Sequence, residues 1–538
     1  MSAFTATSSQ GAMLWIPEIL INGDYLATKI PVAAIVLYLV GYVVYRLNFA
    51  PLSKIPGSKI SKLTVLKFRF NALLGRLGDT CEDEYYKYGD IYVTSPNSVS
   101  ISNPADCKAV LGTHRFIKSD IYKNFALIAD MIFTTQSAEL SHVRRRQVGP
   151  AFTHGYLNGM EPTILECGIH SIRKKWDEYL SQSDSGEATV PYALHFSLTT
   201  FDIIGALGYG QRFNALKDNS AEIIDWVNDY VKLVKIKSVF GDSNTFPINL
   251  LRRPLEKSKA EFVAFGNAAA DRRRELLRYN KAEKPKDILQ ALLDAEDPES
   301  RVRMTQKQIT AETIGFLIAG TDTTSLTMSW TLHYLMLYPE TYQRAVREVR
   351  SRFPRSHTIT YAEGKAQLPY IDACIYESMR IRAVSGAFMP RIVPEGGASF
   401  QGHYLPAGTV VRVNVAGINH NRETWEQPRR FMPERFLGDG DKMKQQIITF
   451  SSGVRICPGR NLAHYEMMTI LANLIKDYDF DMPHDSLYSP DKVDDYGYPI
   501  VMPRTQGLTV MSKYPERDCR VVIRHASDSS FSDFSDKA

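Results

Sequence analysis

The chain has 538 residues, 44% apolar and 23% charged, with a formal net charge of +5. That balance describes a globular body rather than a disordered one, and the charge is too mild to point to a nucleic acid. There is no internal repeat and no phosphate-cradling GxxxxGK[ST] loop. The six cysteines (Cys81, Cys107, Cys167, Cys374, Cys457 and Cys519) lie far apart, so they form neither a disulfide framework nor a CxxC pair and fit a reducing compartment.

The first element is apolar. Residues 30–45 carry no charge. A membrane-spanning helix needs about 17–20 apolar residues, so the run is extended to 30–47 with Arg46 snorkelling. Residues 1–29 hold Glu18, Asp24 and Lys29, whereas 46–69 hold Arg46, Lys54, Lys59, Lys62, Lys67 and Arg69 without an acid. That asymmetry places 1–29 in the lumen and the bulk of the chain in the cytosol. The rival, a cleaved signal peptide, lacks an A-x-A-like site after the run. Pro51 and Lys54-Ile55-Pro56-Gly57 make 48–57 a stiff connector.

Two short β-like runs, Tyr92-Val93-Thr94 and 99–102, flank Pro96-Asn97 and predict a hairpin. From about 105 to 350 the apolar spacing is helical. Residues 283–288 read as a polar loop entering a helix, 310–337 as one long helix, and the stretch after Pro369 as another. Residues 389–415 are strand-rich, and 462–477 returns to helix. The chain from 516 to 538 reads as a polar, disordered tail, rich in serine and aspartate from Ala526. One mainly α domain with a small β portion, spanning 58–515, is expected behind the anchor.

The most informative run is Phe450-Ser451-Ser452-Gly453-Val454-Arg455-Ile456-Cys457-Pro458-Gly459. A lone thiolate in a Gly-Pro loop suits a proximal ligand to a haem iron, where it donates electron density and favours O–O cleavage. Gly453 and Gly459 permit tight turns and close approach to a flat cofactor, and nearby backbone N–H groups can tune the sulfur. Alone, the run could also be a buried structural cysteine in a turn. Glu377 and Arg380 share a helix face at i,i+3, usually a mere surface pair. Ala319-Gly320-Thr321-Asp322-Thr323-Thr324 is a poor helical turn inside the long helix, where the Thr323 hydroxyl can bond the Ala319 carbonyl and bend the helix.

Together these motifs, in this order, resemble the membrane-bound cytochrome P450 family from about Leu52 to Met511. The resemblance implies that Cys457 is the axial ligand of haem b, with Phe450 packed beside the ring. Arg455, Arg391 and Arg145 would reach the propionates, and His142 is a further candidate. Arg435, in Pro433-Glu434-Arg435-Phe436, would close a structural network with Glu377 and Arg380. Thr323 would hydrogen-bond dioxygen in a groove at Ala319 and Gly320, and Asp322 would relay protons. Two departures stand out: Ser141 occupies the place of a family aromatic, and Ala383 that of a proline.

By the same resemblance the enzyme is a monooxygenase of the endoplasmic reticulum membrane. It would take electrons from NADPH through the cytochrome P450 reductase, with cytochrome b5 as a second partner, and no nucleic acid. The basic run at Arg144, Arg145 and Arg146 doubles as a docking face for an acidic flavoprotein. Pocket walls are expected from 125–133, 314–319 and 384–388, capped by the turn at 496–501, for a lipophilic substrate; the leaning is to fungal members acting on steroids or terpenoids. A reductase-independent isomerase or dehydratase of oxygenated lipids and a non-catalytic haem sensor stay open as alternatives.

Overall fold

The structure is a computed structural model that describes residues 31–219, 222–241, 245–279 and 284–527. The segment assigned to the lumen, Ile30, and 528–538 of the tail lie outside the described residues. Pro31–Phe49 forms a helix long and apolar enough to cross a membrane, with none of it buried in the protein. Its last turn is held rather than free. Arg46 donates to the carbonyls of Lys62 and Pro96, and the Tyr42 hydroxyl donates to the Leu63 carbonyl at 2.8 Å. Arg46 therefore caps the folded domain instead of snorkelling as the sequence suggested, because unpaired carbonyls lie within its reach.

The described elements run as helix α1 (Leu77–Tyr88), strands β1 (Ile91–Ser95) and β2 (Ser98–Ile101), α2 (Ala138–Val148), β3 (Ala188–Val190), α3 (Tyr192–Tyr209), α4 (Glu222–Phe240), α5 (Ile248–Tyr279), α6 (Gln306–Leu337), α7 (Pro369–Ile381), β4 (Phe388–Ile392), β5 (Ala398–Phe400), β6 (His403–Leu405), β7 (Val410–Asn414), α8 (Arg460–Asp477), β8 (Tyr478–Asp481), β9 (Arg504–Gln506), β10 (Val510–Ser512) and β11 (Val521–His525), with shorter helices between them. The hairpin, the long helix and the strand-rich stretch are where the sequence placed them. The four-stranded sheet has the order β1-β2-β7-β4, with β2 and β7 parallel and the other pairs antiparallel.

The tail boundary is corrected. Pro515–Asp518 is a helical turn, and β11 pairs with both β8 and β3. Val521 and Ile523 are fully buried. Val521-Val522-Ile523 is a short β-branched run, a strand signal that the polar composition around it obscured.

Helix α6 runs through the middle of the helical body. It opens on a Thr305–Gln308 capping box and is buried on nearly every side. A helix so placed must satisfy its own polar groups. Thr313, Thr321, Thr323, Ser325, Thr327, Ser329 and Thr331 each donate to the carbonyl four residues earlier, at 2.7–2.8 Å. The helix nonetheless continues unbroken to Leu337. Gly320 serves packing: a Cβ there would lie 3.2 Å from Ile204 on α3.

Candidate functional site

The cysteine loop enters the site from α7. The Thr449 hydroxyl donates to the Met379 carbonyl at 2.9 Å, and the Cys457 N–H closes the loop onto Phe450 O at 2.8 Å. A short 3-10 turn, Gly453–Arg455, sits between. Gly453 is required there. Its φ is +61°, and a Cβ would fall 2.5 Å from Gly112 Cα. Gly459 is different: its φ is −77°, open to any residue. What it supplies is its amide, which with that of Arg460 donates to the Cys457 sulfur. Burial pushes the thiol up, and those two amides with Arg145 and Arg460 pull the other way. Among the six cysteines only Cys457 is exposed. The ring of Phe450 packs on His464, centroids 5.4 Å apart.

Glu377, Arg380 and Arg435 converge beneath this loop. Arg380 grips Glu377 through two bonds of 2.7 and 2.8 Å, and Arg435 Nε lies 3.3 Å from the same carboxylate. Arg380 also donates to the carbonyls of Asn419 and Pro428, and Asn419 reaches Thr449. The network is thus tied by hydrogen bonds to Thr449, the residue before the loop, and Arg435 is its third member.

Beside the cysteine stands a crowd of cations. Arg145 donates to the Ile456 carbonyl at 2.8 Å, and Arg391 to the Tyr122 hydroxyl at 3.1 Å. Arg455 donates to Ser141 Oγ at 2.8 Å. The small hydroxyl at position 141, where the family carries an aromatic, is the acceptor for the loop arginine. Arg455 is lowered to about 10 by burial and by Arg391 and Arg145. Arg455 Nη2, Arg145 Nε and both ring nitrogens of His114 are buried without a hydrogen-bond partner. Such orphaned donors around an exposed thiol fit an anionic cofactor. Among the described residues no three His, Cys, Asp or Glu side chains gather as a metal cage.

His142 is exposed and packs its ring on His114, centroids 4.3 Å apart. Of the two rings, His114 is the one whose nitrogens are buried without a partner. The sequence also passed over Lys118, which is buried and donates to Ile132 O and Phe133 O at 3.1 and 2.6 Å. No motif marks either residue; only their folding against Arg455 and Arg391 does.

On α6, Ala319 is exposed between buried turns and Thr323 is half-buried beside it. The Thr323 hydroxyl donates to Ala319 O at 2.7 Å, as do six other α6 hydroxyls to their own carbonyls, so that bond alone is no sign of function. The open side is what sets Thr323 apart. Burial raises Asp322 to about 6, within the range of a group that exchanges protons near neutrality. The pocket cap is corrected. The Val510 N–H donates to Val384 O, so the β9–β10 turn packs on 384, whereas Tyr496 is exposed and stacks on Arg429.

The comparisons with known proteins agree with this geometry. A family model described as Cytochrome P450 matches residues 63–504. Cytochrome P450 monooxygenase helB1 of Aspergillus fumigatus is 41% identical over 492 residues, covering 90% of this chain and 84% of that protein. Cytochrome P450 monooxygenase helB2 of the same organism is 39% identical over 497 residues, covering 91% and 97%. Among solved structures, the heme domain of cytochrome P450DA superposes with a TM-score of 0.71 at 19% identity, covering 90% of this chain and 96% of that one, a likeness of fold. The chain belongs to the cytochrome P450 family and is a P450 monooxygenase.

Proposed function

We propose that this enzyme inserts one oxygen atom of O2 into a C–H bond of a lipophilic small molecule, with electrons from NADPH delivered by a reductase. The observation that carries the reading is the pairing of an exposed, amide-supported Cys457 with orphaned guanidinium donors on one side and the open turn at Ala319 and Thr323 on α6. Cys457 would hold the iron of haem b, while Arg455, Arg391 and Arg145 would hold its carboxylates. When bound, the haem supplies oxygen activation; the chain supplies orientation, protons and exclusion of water.

The amides of Gly459 and Arg460 stabilise charge on the sulfur. Asp322, raised to about 6, takes up and releases a proton close to neutral pH and passes it toward the Thr323 hydroxyl. That hydroxyl is a donor that can turn from the Ala319 carbonyl to a ligand. The helix Pro31–Phe49 would anchor the protein in the endoplasmic reticulum membrane, with the domain in the cytosol. The related A. fumigatus proteins carry the name of P450 monooxygenases, which supports the reaction type, and the steroid or terpenoid leaning stays with this proposal.

The test is spectroscopic first. The reduced, CO-bound protein should show the red-shifted Soret band of thiolate ligation, lost in Cys457→Ala. Turnover with NADPH, a reductase and a panel of lipophiles follows. A normal band with no product and no NADPH oxidation for any lipophile would overturn the monooxygenase assignment in favour of a silent haem protein.

A further inference from the structure

We propose that Glu312 and Lys118 form a two-sided grip on Ile132, which fixes the segment 131–134 against α6 and so sets which lipophilic molecules the site accepts. This rests on the monooxygenase reading above. The Ile132 N–H donates to Glu312 Oε1 at 2.7 Å. Its carbonyl accepts from Lys118 Nζ at 3.1 Å, and the next carbonyl, Phe133 O, from the same ammonium at 2.6 Å. Glu312 is 1% exposed, Lys118 5% and Ile132 8%. The segment belongs to no helix or sheet. Its remaining bonds are local, Thr134 and Thr135 N–H onto Met131 O, so its attachment to the body runs through these two ionisable side chains.

The location gives the grip its consequence. A Cβ on Gly315, one turn before Ala319, would lie 3.0 Å from Met131 Sδ, so 131 is packed directly on α6. Phe133 is largely exposed and sits edge-on to Tyr122 and Phe125, and Tyr122 accepts from Arg391. The segment therefore spans from the open face of α6 to the cationic cluster, and a shift at Ile132 moves Met131 and Phe133 together.

A buried carboxylate and ammonium are a costly way to hold a loop. A neutral amide would accept from the same N–H, but more weakly than a carboxylate. What charge adds is a response to protons. The charged groups facing Glu312 among the described residues are Arg144 on α2, with Nε 3.5 Å away, and Lys118. Asp130 faces Arg144 from the loop, and Arg455, Arg391 and Arg145 face Lys118. Burial, opposed by the Ile132 N–H and these two cations, leaves the Glu312 carboxyl at about 7. Ionised, it is a strong acceptor; protonated, a weak one. While Glu312 stays enclosed by α6, Arg144 and Lys118, the Ile132 N–H favours its ionised form, so this local contact is tighter above neutrality than below it.

The experiment uses the full-length, haem-loaded protein and two azole probes read by the shift of the haem spectrum. Imidazole is too small to reach the wall; phenylimidazole extends toward it. In Glu312→Gln, phenylimidazole affinity should fall about tenfold at about pH 8, with imidazole changed less than about twofold, and the ratio of wild type to variant should approach one at about pH 6. Hydrogen exchange on the wild type covers a variant that does not fold: corrected protection of the peptide over 127–135 should rise about tenfold from pH 6 to pH 8, with α8 peptides unchanged. Equal losses for both azoles, no loss for either, or protection flat with pH overturns the grip. A wild-type protein without the thiolate Soret band would instead sink the site reading beneath it.

Discussion

Arg455 spends one guanidinium N–H on Ser141 Oγ, 2.8 Å away, and leaves another buried with no partner. The residues are far apart in sequence, one in the cysteine loop and one on α2. The serine holds one arm of the arginine's fork, and the proposed role of the other arm is to hold a carboxylate of the cofactor. Replacing Arg455 with Met removes a charge-assisted bond worth about 1.5–3 kcal/mol. Haem should leave the variant at least about tenfold faster, measured by transfer to a haem-scavenging globin. Ser141→Ala should show a smaller effect of the same sign.

Glu377 is fully buried between two arginines. Glu377→Ala would strand Arg380 as an uncompensated buried charge, which costs about 3–5 kcal/mol. The expected outcome is loss of most haem-loaded protein, read as the ratio of haem to protein after purification. Glu434→Ala is the control. Its carboxylate meets Arg344 at the surface and should change that ratio little.

Thr323 and Thr327 make the same i−4 bond on α6, but Thr327 is buried and Thr323 faces the open side. Thr323→Ala should therefore lower product formed per NADPH several-fold, with Thr323→Ser restoring it and Thr327→Ala leaving it near wild type. Asp322→Asn should slow turnover by about a hundredfold if it is the proton donor. Equal behaviour of the two threonine variants would return the Thr323 bond to a helix-satisfying role.

Asp322 and Glu312 are raised from 3.8 to about 6 and from 4.5 to about 7, in both cases mainly by burial. Each binds its proton more tightly folded than unfolded, so raising the pH through that window costs stability, and the cost is complete above the folded values. Relative to the wild type, Asp322→Asn should gain in melting temperature as the pH rises from about 5 to about 7.5, because it lacks the carboxyl whose ionisation costs stability. Parallel curves for the two proteins would contradict the raised carboxyl.

The parts legible in the sequence are those whose meaning is local. The cysteine loop, the turn at 319–324 and the Glu377–Arg380 spacing each carry their chemistry within a few residues, and the hairpin and α6 follow from period and punctuation. The parts that escaped depend on who comes to meet whom. Nothing near Glu312 says that Ile132 and Lys118 will close on it, and nothing near His114 says that it will lie against Arg455 and Arg145. The polar surroundings of Val521 and Ile523 hid a strand whose partners, β3 and β8, lie far back along the chain. His142, singled out because it follows Ser141 in sequence, lies ring to ring with His114 in space.

Strand β11 carries a consequence for the order of assembly. It joins β8, which continues directly from the helix that supplies amides to Cys457, and it pairs with β3 across the chain, where Arg524 meets Glu187 at 2.7 Å. On a ribosome, the thiolate loop and α8 emerge before the strand that fastens their far end. The proximal half of the site is complete only once this late segment has cleared the exit tunnel, so secure capture of the cofactor belongs to the end of synthesis rather than to its course.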